Sequence, residues 1–159
     1  MPGGAIATFI VGFAYQLVDS GPQNTDIFKM MDAGSEQLVL RTTSGGELAI
    51  DRGSTQLEIT SGLGLAQGNW YYIEVKATIN NSTGAYDVEV DGVSQLSDSS
   101  IDTQQTANAT VDEFQWIGHA TPDPEIDDVY ISDTTGGAPN NDFLGPIRVE
   151  TVFPDANGD

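Results

Sequence analysis

Two acidic triplets, Glu125-Ile126-Asp127 and Glu89-Val90-Asp91, are the residues of this chain best placed to do chemistry. In an extended strand alternate side chains share a face, so the two acids of each triplet would stand side by side. Paired carboxylates are the apparatus of glycoside hydrolysis, one serving as acid and the other as base or nucleophile. Neither triplet is completed. Asp128 points away from the face of Asp127, and Val129-Tyr130 adds no further acid; Gly92-Val93-Ser94 adds none after Glu89 and Asp91. The reading is that no residue here is catalytic, and that these carboxylates bond nearby backbone and turns.

Oxygen-rich clusters offer a second chemistry. Asp19-Ser20 with Asn24 and Asp26, Asp123 with Glu125 and Asp127, and Asn140-Asn141-Asp142 carry the hard ligands that calcium prefers. None follows a defined calcium-loop spacing, so no metal ligand is assigned and calcium is the one cofactor left open. His119 is the single histidine, and no serine or cysteine motif makes it part of a triad. Trp70, Tyr71, Trp116 and Tyr130 could stack on a glycan, although their strand-like settings favour packing. Asn80, Asn81 and Asn108 head N-x-S/T sequons that read as chance matches in a polar β-protein.

The elements that must position these residues are strands. From Tyr72 to Ile79 the set Tyr72, Glu74, Lys76, Thr78 alternates with Ile73, Val75, Ala77, Ile79, which predicts one wet face and one buried face. Residues 80–84 supply a turn, with Gly84 free for positive φ, and Asp91-Gly92 predicts a tight hairpin. Further strands are expected at 8–18, 26–31, 37–42, 47–52, 56–60, 70–79, 86–91, 93–96, 111–117, 126–132 and 146–152. Residues 97–109 read as a loop anchored by Ile101, and 134–142 as another. No helical period appears. Short strands separated by Gly, Ser, Asn, Asp and Pro predict an all-β, two-sheet antiparallel sandwich. Ile73, Val75, Val88, Val90, Val129 and Ile131 are its expected core. The domain should run from 1 to 154, with 155–159 as a flexible tail.

The motifs Gly68-Asn69-Trp70-Tyr71-Tyr72-Ile73-Glu74, Val90-Asp91-Gly92, Ile126-Asp127-Asp128-Val129-Tyr130 and Asn140–Gly145 with Arg148–Thr151 follow in this order. Together they resemble the concanavalin A-like, LamG/pentraxin-type jelly roll, in the version found in tailed-phage structural proteins. The resemblance spans roughly residues 5 to 154. It implies the sandwich fold strongly and function weakly, because this fold hosts lectins, glycosidases, adhesion modules and capsid parts. Sandwich glucanases of the fold carry E-x-D-x-x-E or E-x-D-x-E on one strand, and this chain departs from that pattern after Asp127.

Composition narrows the function classes. The 159 residues amount to one domain, and the chain has no cysteine, which excludes zinc-thiolate sites, iron–sulfur clusters and thiol nucleophiles. The 24 acids face five bases, and no Lys or Arg occurs between Ala77 and Ile147. Such a surface repels phosphate backbones and anionic membranes, so neither nucleic acid nor membrane is an expected partner. The start, MPGGAIATFIVGF, lacks the features of a signal peptide, giving the expectation of synthesis in a host cytoplasm without export. The resemblance points to a non-enzymatic virion protein. The first expectation is a capsid decoration or cement protein on the capsid surface, bound to the major capsid protein and to copies of itself as a homo-oligomer. The alternative is a carbohydrate-binding module of a phage tail or fibre. Residues 142–153 are dense in apolar side chains, and Phe143, Leu144 and Phe153 are the candidate partner contacts, the equal alternative being that they complete the protein's own core.

Overall fold

The structure, a computed structural model, describes residues 4–18, 20–118 and 124–148. Ten strands form: β1 Thr8–Leu17, β2 Thr25–Asp32, β3 Ser35–Thr42, β4 Leu48–Arg52, β5 Thr55–Ile59, β6 Trp70–Thr78, β7 Gly84–Val90, β8 Val93–Ile101, β9 Glu113–Trp116 and β10 Pro124–Ser132. No helix occurs among the described residues. The first sheet has the order β10-β1-β6-β7-β8 and the second β5-β4-β3-β2-β9. Every pairing is antiparallel.

Period two explains the core. Phe9, Val11, Phe13, Tyr15 and Leu17 of β1 and Ile73, Val75 and Ala77 of β6 point between the sheets and are buried. Phe13 meets Phe28 of β2 and Trp116 of β9 at centroid distances of 5.4 and 5.9 Å, and Phe9 meets Phe114 at 5.1 Å. These contacts place β9, the edge of the second sheet, beneath β1. Strand β10 lies one position further out and overhangs the sandwich.

A polar clamp holds the long connection between β8 and β9. Gln37 is fully buried; its Nε2 donates to the carbonyls of Asn108 and Thr110 at 2.7 and 3.0 Å. Its Oε1 accepts from the Gln105 and Thr106 N–H groups at 2.6 and 2.8 Å. Asn108 donates its Nδ2 to Asp32 at 3.1 Å, so that sequon asparagine is engaged in the fold.

Several expectations need correction. Strand β8 continues to Ile101, five residues into the expected loop. Gly84 does not use positive φ; it is needed because a Cβ there would lie 2.1 Å from the Thr103 hydroxyl. The hairpin at Asp91-Gly92 forms as expected, with φ of 52° and 76°. Ile73, Val75, Val88 and Val90 are buried, whereas Val129 and Ile131 are 40% and 47% exposed. Ile131 pairs with the core residue Val11 and so points to the inner side of the sheet, where the overhang leaves it uncovered. Of the strand expected at 146–152, residues 146–148 are not in a strand, and the remainder lies outside the described residues, as do the domain end and the tail.

Candidate functional site

The outer face of the first sheet carries the most elaborate arrangement of side chains. Register aligns Gly12 of β1 with Glu74 of β6 on one side and with Tyr130 of β10 on the other. A β-bulge in β10 between the partners of Gly12 and Ala14, with Asp128 at φ 50°, puts Tyr130 over Gly12. A Cβ on Gly12 would lie 2.1 Å from the Tyr130 ring, so only glycine admits it. The Tyr130 hydroxyl then donates to Glu74 Oε1 at 2.6 Å.

The segment 142–147 lies across this face as a strap, and its backbone is bound by the side chains beneath. The Gly145 N–H donates to Glu74 Oε1 at 3.0 Å, and the Leu144 N–H donates to the Tyr130 hydroxyl at 3.3 Å. The Ile147 N–H bonds the Tyr72 hydroxyl, which itself donates to the Asp128 carbonyl at 3.1 Å. Lys76 pairs with Asp142 at 3.0 Å and sits 6.0 Å from the Phe143 ring centroid. Tyr72 and Glu74 are thereby buried, although alternation placed them on a wet face. Burial, followed by the nearby carboxylates, pushes the Tyr72 hydroxyl up; burial and the Glu74 bond do the same to Tyr130. Both remain O–H donors at neutral pH.

Glu74 is fully buried and its Oε2 has no hydrogen-bond partner. Glu89 lies directly across from it on β7. Desolvation raises the Glu89 carboxyl above its ordinary range, and Glu74, Asp87 and Asp142 add to the shift.

The anticipated site residues do not assemble. Glu125 and Asp127 are exposed and share the outer face, with Asp127 Oδ1 accepting the Asp128 N–H at 2.8 Å. The other triplet is broken by the hairpin, where Asp91 accepts the Tyr72 N–H at 2.8 Å. Trp70, 46% exposed, and Tyr130 are on the outer face, at β1 positions Gln16 and Gly12, about 13 Å apart along the strand. Tyr71 points inward, and Trp116 packs against Phe13 and Phe28. The four aromatics thus form no common platform. Phe143 and Leu144 are half-buried in the strap. His119, Phe153, Asp19 and Asp123 lie outside the described residues. In the clusters considered for calcium, Asn24 Oδ1 accepts the Ser44 N–H, Asp26 pairs with Lys29, and Asp142 pairs with Lys76. Among the described residues no three His, Cys, Asp or Glu side chains are placed to hold a metal ion.

The second notable surface is the edge of β10. Among the described residues no strand pairs on its outer side. Val129 and Ile131 are exposed along it, and Ile131 borders an open cleft of about 700 Å³ lined by Ile6, Tyr130, Asp133 and Leu144.

No family model and no curated protein matches this chain. Solved structures do. A native heptameric SAP-like pentraxin from Limulus polyphemus superposes with a TM-score of 0.54 at 14% identity, over 82% of this chain and 65% of the pentraxin. A mutant Trypanosoma rangeli sialidase displaying trans-sialidase activity superposes with a TM-score of 0.55 at 16% identity, over 78% of this chain and 20% of the sialidase. The fold is the concanavalin A-like jelly roll. The chain spans under two-thirds of the pentraxin and a fifth of the sialidase, and at such identities the likeness is one of fold. In this jelly roll, the motifs that run in order along the sequence meet in space. Tyr72 and Glu74 come from the first, Asp91, which accepts the Tyr72 N–H, from the second, Tyr130 from the third, and Leu144 and Gly145 from the fourth. The parts that Glu74 and Gly12 play in this arrangement were not legible in the sequence; a glutamate at an alternating strand position ordinarily signals solvent.

Proposed function

We propose that this chain is a non-enzymatic virion structural protein, a capsid decoration or cement protein carried on the capsid surface and docked on the major capsid protein. The observation that carries the reading is the edge of β10. It has no partner strand on its outer side among the described residues, exposed Val129 and Ile131, and an adjoining cleft. An open strand edge with apolar side chains is a surface suited to another chain. The resemblance to tailed-phage structural proteins supplies the kind of partner. Repetition on a lattice multiplies weak contacts into firm retention, and binding to the assembled shell alone stabilises that state by mass action. The acidic surface favours a partner with basic groups and keeps particles apart.

In this reading the docking contact is centred on the β10 edge rather than on Phe143, which is half-buried in the strap. Leu144 stays in it through the cleft, and Phe153 lies outside the described residues. Replacing Val129 and Ile131 together by serine tests the reading on purified particles. The expected result is a folded, monodisperse protein with greatly reduced copies per particle. Normal copy number with that double variant would remove the β10 edge from the proposal, and a few copies at a tail tip would favour the carbohydrate-binding alternative.

A further inference from the structure

Among the described residues, the second sheet is one strand short beneath β10. Strand β9 ends that sheet, and among the described residues no strand pairs on its outer side. The Ile117 N–H donates to the Ile27 carbonyl of β2 at 3.0 Å, so alternation turns the N–H groups of Phe114 and Trp116 toward the open side. Over that side stands the inner face of β10. Val129 and Ile131 flank Tyr130, which is on the outer face, and so point inward, each close to half exposed. Neighbouring strands lie about 4.8 Å apart and packed sheets about 10 Å apart, so the place beside β9 and beneath β10 is that of one further strand. Ile6, bonded to Val111 just ahead of β9, and Ile131 line one cleft of about 700 Å³, so the space between the two edges is open at this end.

Charge selects what can fill it. Strands β9 and β10 and the residues around them come from the stretch between Ala77 and Ile147 that has no Lys or Arg. Glu113, Glu125, Asp127 and Asp133 are exposed there. A second copy brings the same net charge of -19, and residues 149–159 of the chain carry Glu150, Asp155 and Asp159 and no base. We propose that the open edge of β9 accepts an extended segment of a protein partner, alternating apolar and basic residues, as a sixth strand of the second sheet beneath β10. Its backbone pairs with Phe114 and Trp116, its apolar side chains meet Val129 and Ile131, and a Lys or Arg stands beside Glu113 as a cross-strand pair. The segment uses Val129 and Ile131 as the docking contact does, so its placement rests on that reading and adds where the partner's backbone lies.

The test uses the whole chain with isotope-labelled amides and the peptide acetyl-Arg-Val-Lys-Val-Arg-Val-amide as probe. The expected result is chemical-shift change and slowed hydrogen exchange at the Phe114 and Trp116 amides. A block peptide of the same composition, Arg-Lys-Arg-Val-Val-Val, and an acidic one, Glu-Val-Glu-Val-Glu-Val, should bind about tenfold more weakly. Glu113→Lys should weaken the first peptide about fivefold. Equal binding by the block peptide would overturn the proposal as general charge attraction, and so would no binding, or shifts that leave β9 unmoved. Slow exchange at these two amides in the free chain would also overturn it: the place is then filled by the chain's own end, or by a second copy if protection rises with concentration. The peptide comparison is made on the parent chain and does not depend on the folding of a variant. On particles, lost copies of the Val129 and Ile131 double serine variant with no peptide on β9 would leave the docking reading standing and sink the sixth strand. A peptide on β9 with normal copies of that variant would do the reverse.

Discussion

Strands β6 and β10 read alike in sequence and behave differently in space. Both alternate apolar and polar residues, and both carry a tyrosine that reaches the strap. Ile73 and Val75 of β6 are fully buried, whereas Val129 and Ile131 of β10 are close to half exposed. The difference comes from position. Strand β6 is flanked by β1 and β7, and its inner side chains meet the second sheet. Strand β10 is an edge beyond the last strand of the second sheet. Their outer faces reverse the contrast: Glu74 of β6 is a charged residue with no exposure because the strap lies over it. Apolarity and burial are thus separate properties, linked only when something covers the residue.

The largest expected effect tests the inner side of that comparison. Ile73→Ala should cost about 2–5 kcal/mol in denaturant unfolding, as full burial predicts. Ile131→Ala should fall within about 0.5 kcal/mol, as for an exposed site. Equal losses at both would show that β10 is as well covered as β6.

The next effect probes how β10 grips the strap. Gly12→Ala drives a Cβ into the Tyr130 ring and should cost about 1–3 kcal/mol through overpacking. In Gly12→Ala combined with Tyr130→Ala the two losses should be less than additive, because the clash needs both side chains. Additive losses in thermal or chemical unfolding would separate the glycine from the ring.

Tyr130→Phe removes one donor to Glu74 and one acceptor for Leu144, at an expected cost of about 1–3 kcal/mol. Faster hydrogen exchange at the Leu144 and Gly145 amides, with β6 and β7 unchanged, is the specific readout. Uniform acceleration across the sheet would mean that the strap does not open on its own.

The smallest effects are in pH dependence, and their signs oppose. Lys76, with help from the Phe143 N–H, lowers the Asp142 carboxyl. Its contribution is present above the ordinary carboxylate range and lost as pH falls through the lowered folded value, so strap amides should lose protection in acid. In Asp142→Asn that acid-dependent loss should be absent. The Glu89 carboxyl is raised, mainly by desolvation. The unfolded chain then ionises first as pH rises, so stability declines from the ordinary carboxylate range up to the raised folded value. Glu89→Gln should be slightly more stable than the parent chain at neutral pH and unchanged in strong acid. A stability loss at neutral pH would show that the crowding of Glu89 is relieved by a donor.

Local patterns identified the fold because period-two alternation and turn chemistry act over neighbouring residues. The antiparallel sandwich, the Asp91-Gly92 hairpin and the inward set on β6 and β7 all followed from the sequence. The same logic failed where distant chain covers a face. Glu74 and Tyr72 looked solvated because the strap that buries them lies about seventy positions later. Gly12 looked like an ordinary strand residue until the bulge in β10 set Tyr130 above it. Val129 and Ile131 looked buried because alternation cannot say whether a strand is central or at an edge. The sequence by itself determined which residues alternate, where the chain turns, and that its charge is strongly negative. Tertiary structure alone decided which alternating faces are covered, since coverage depends on strand order and on contacts between segments far apart in the chain.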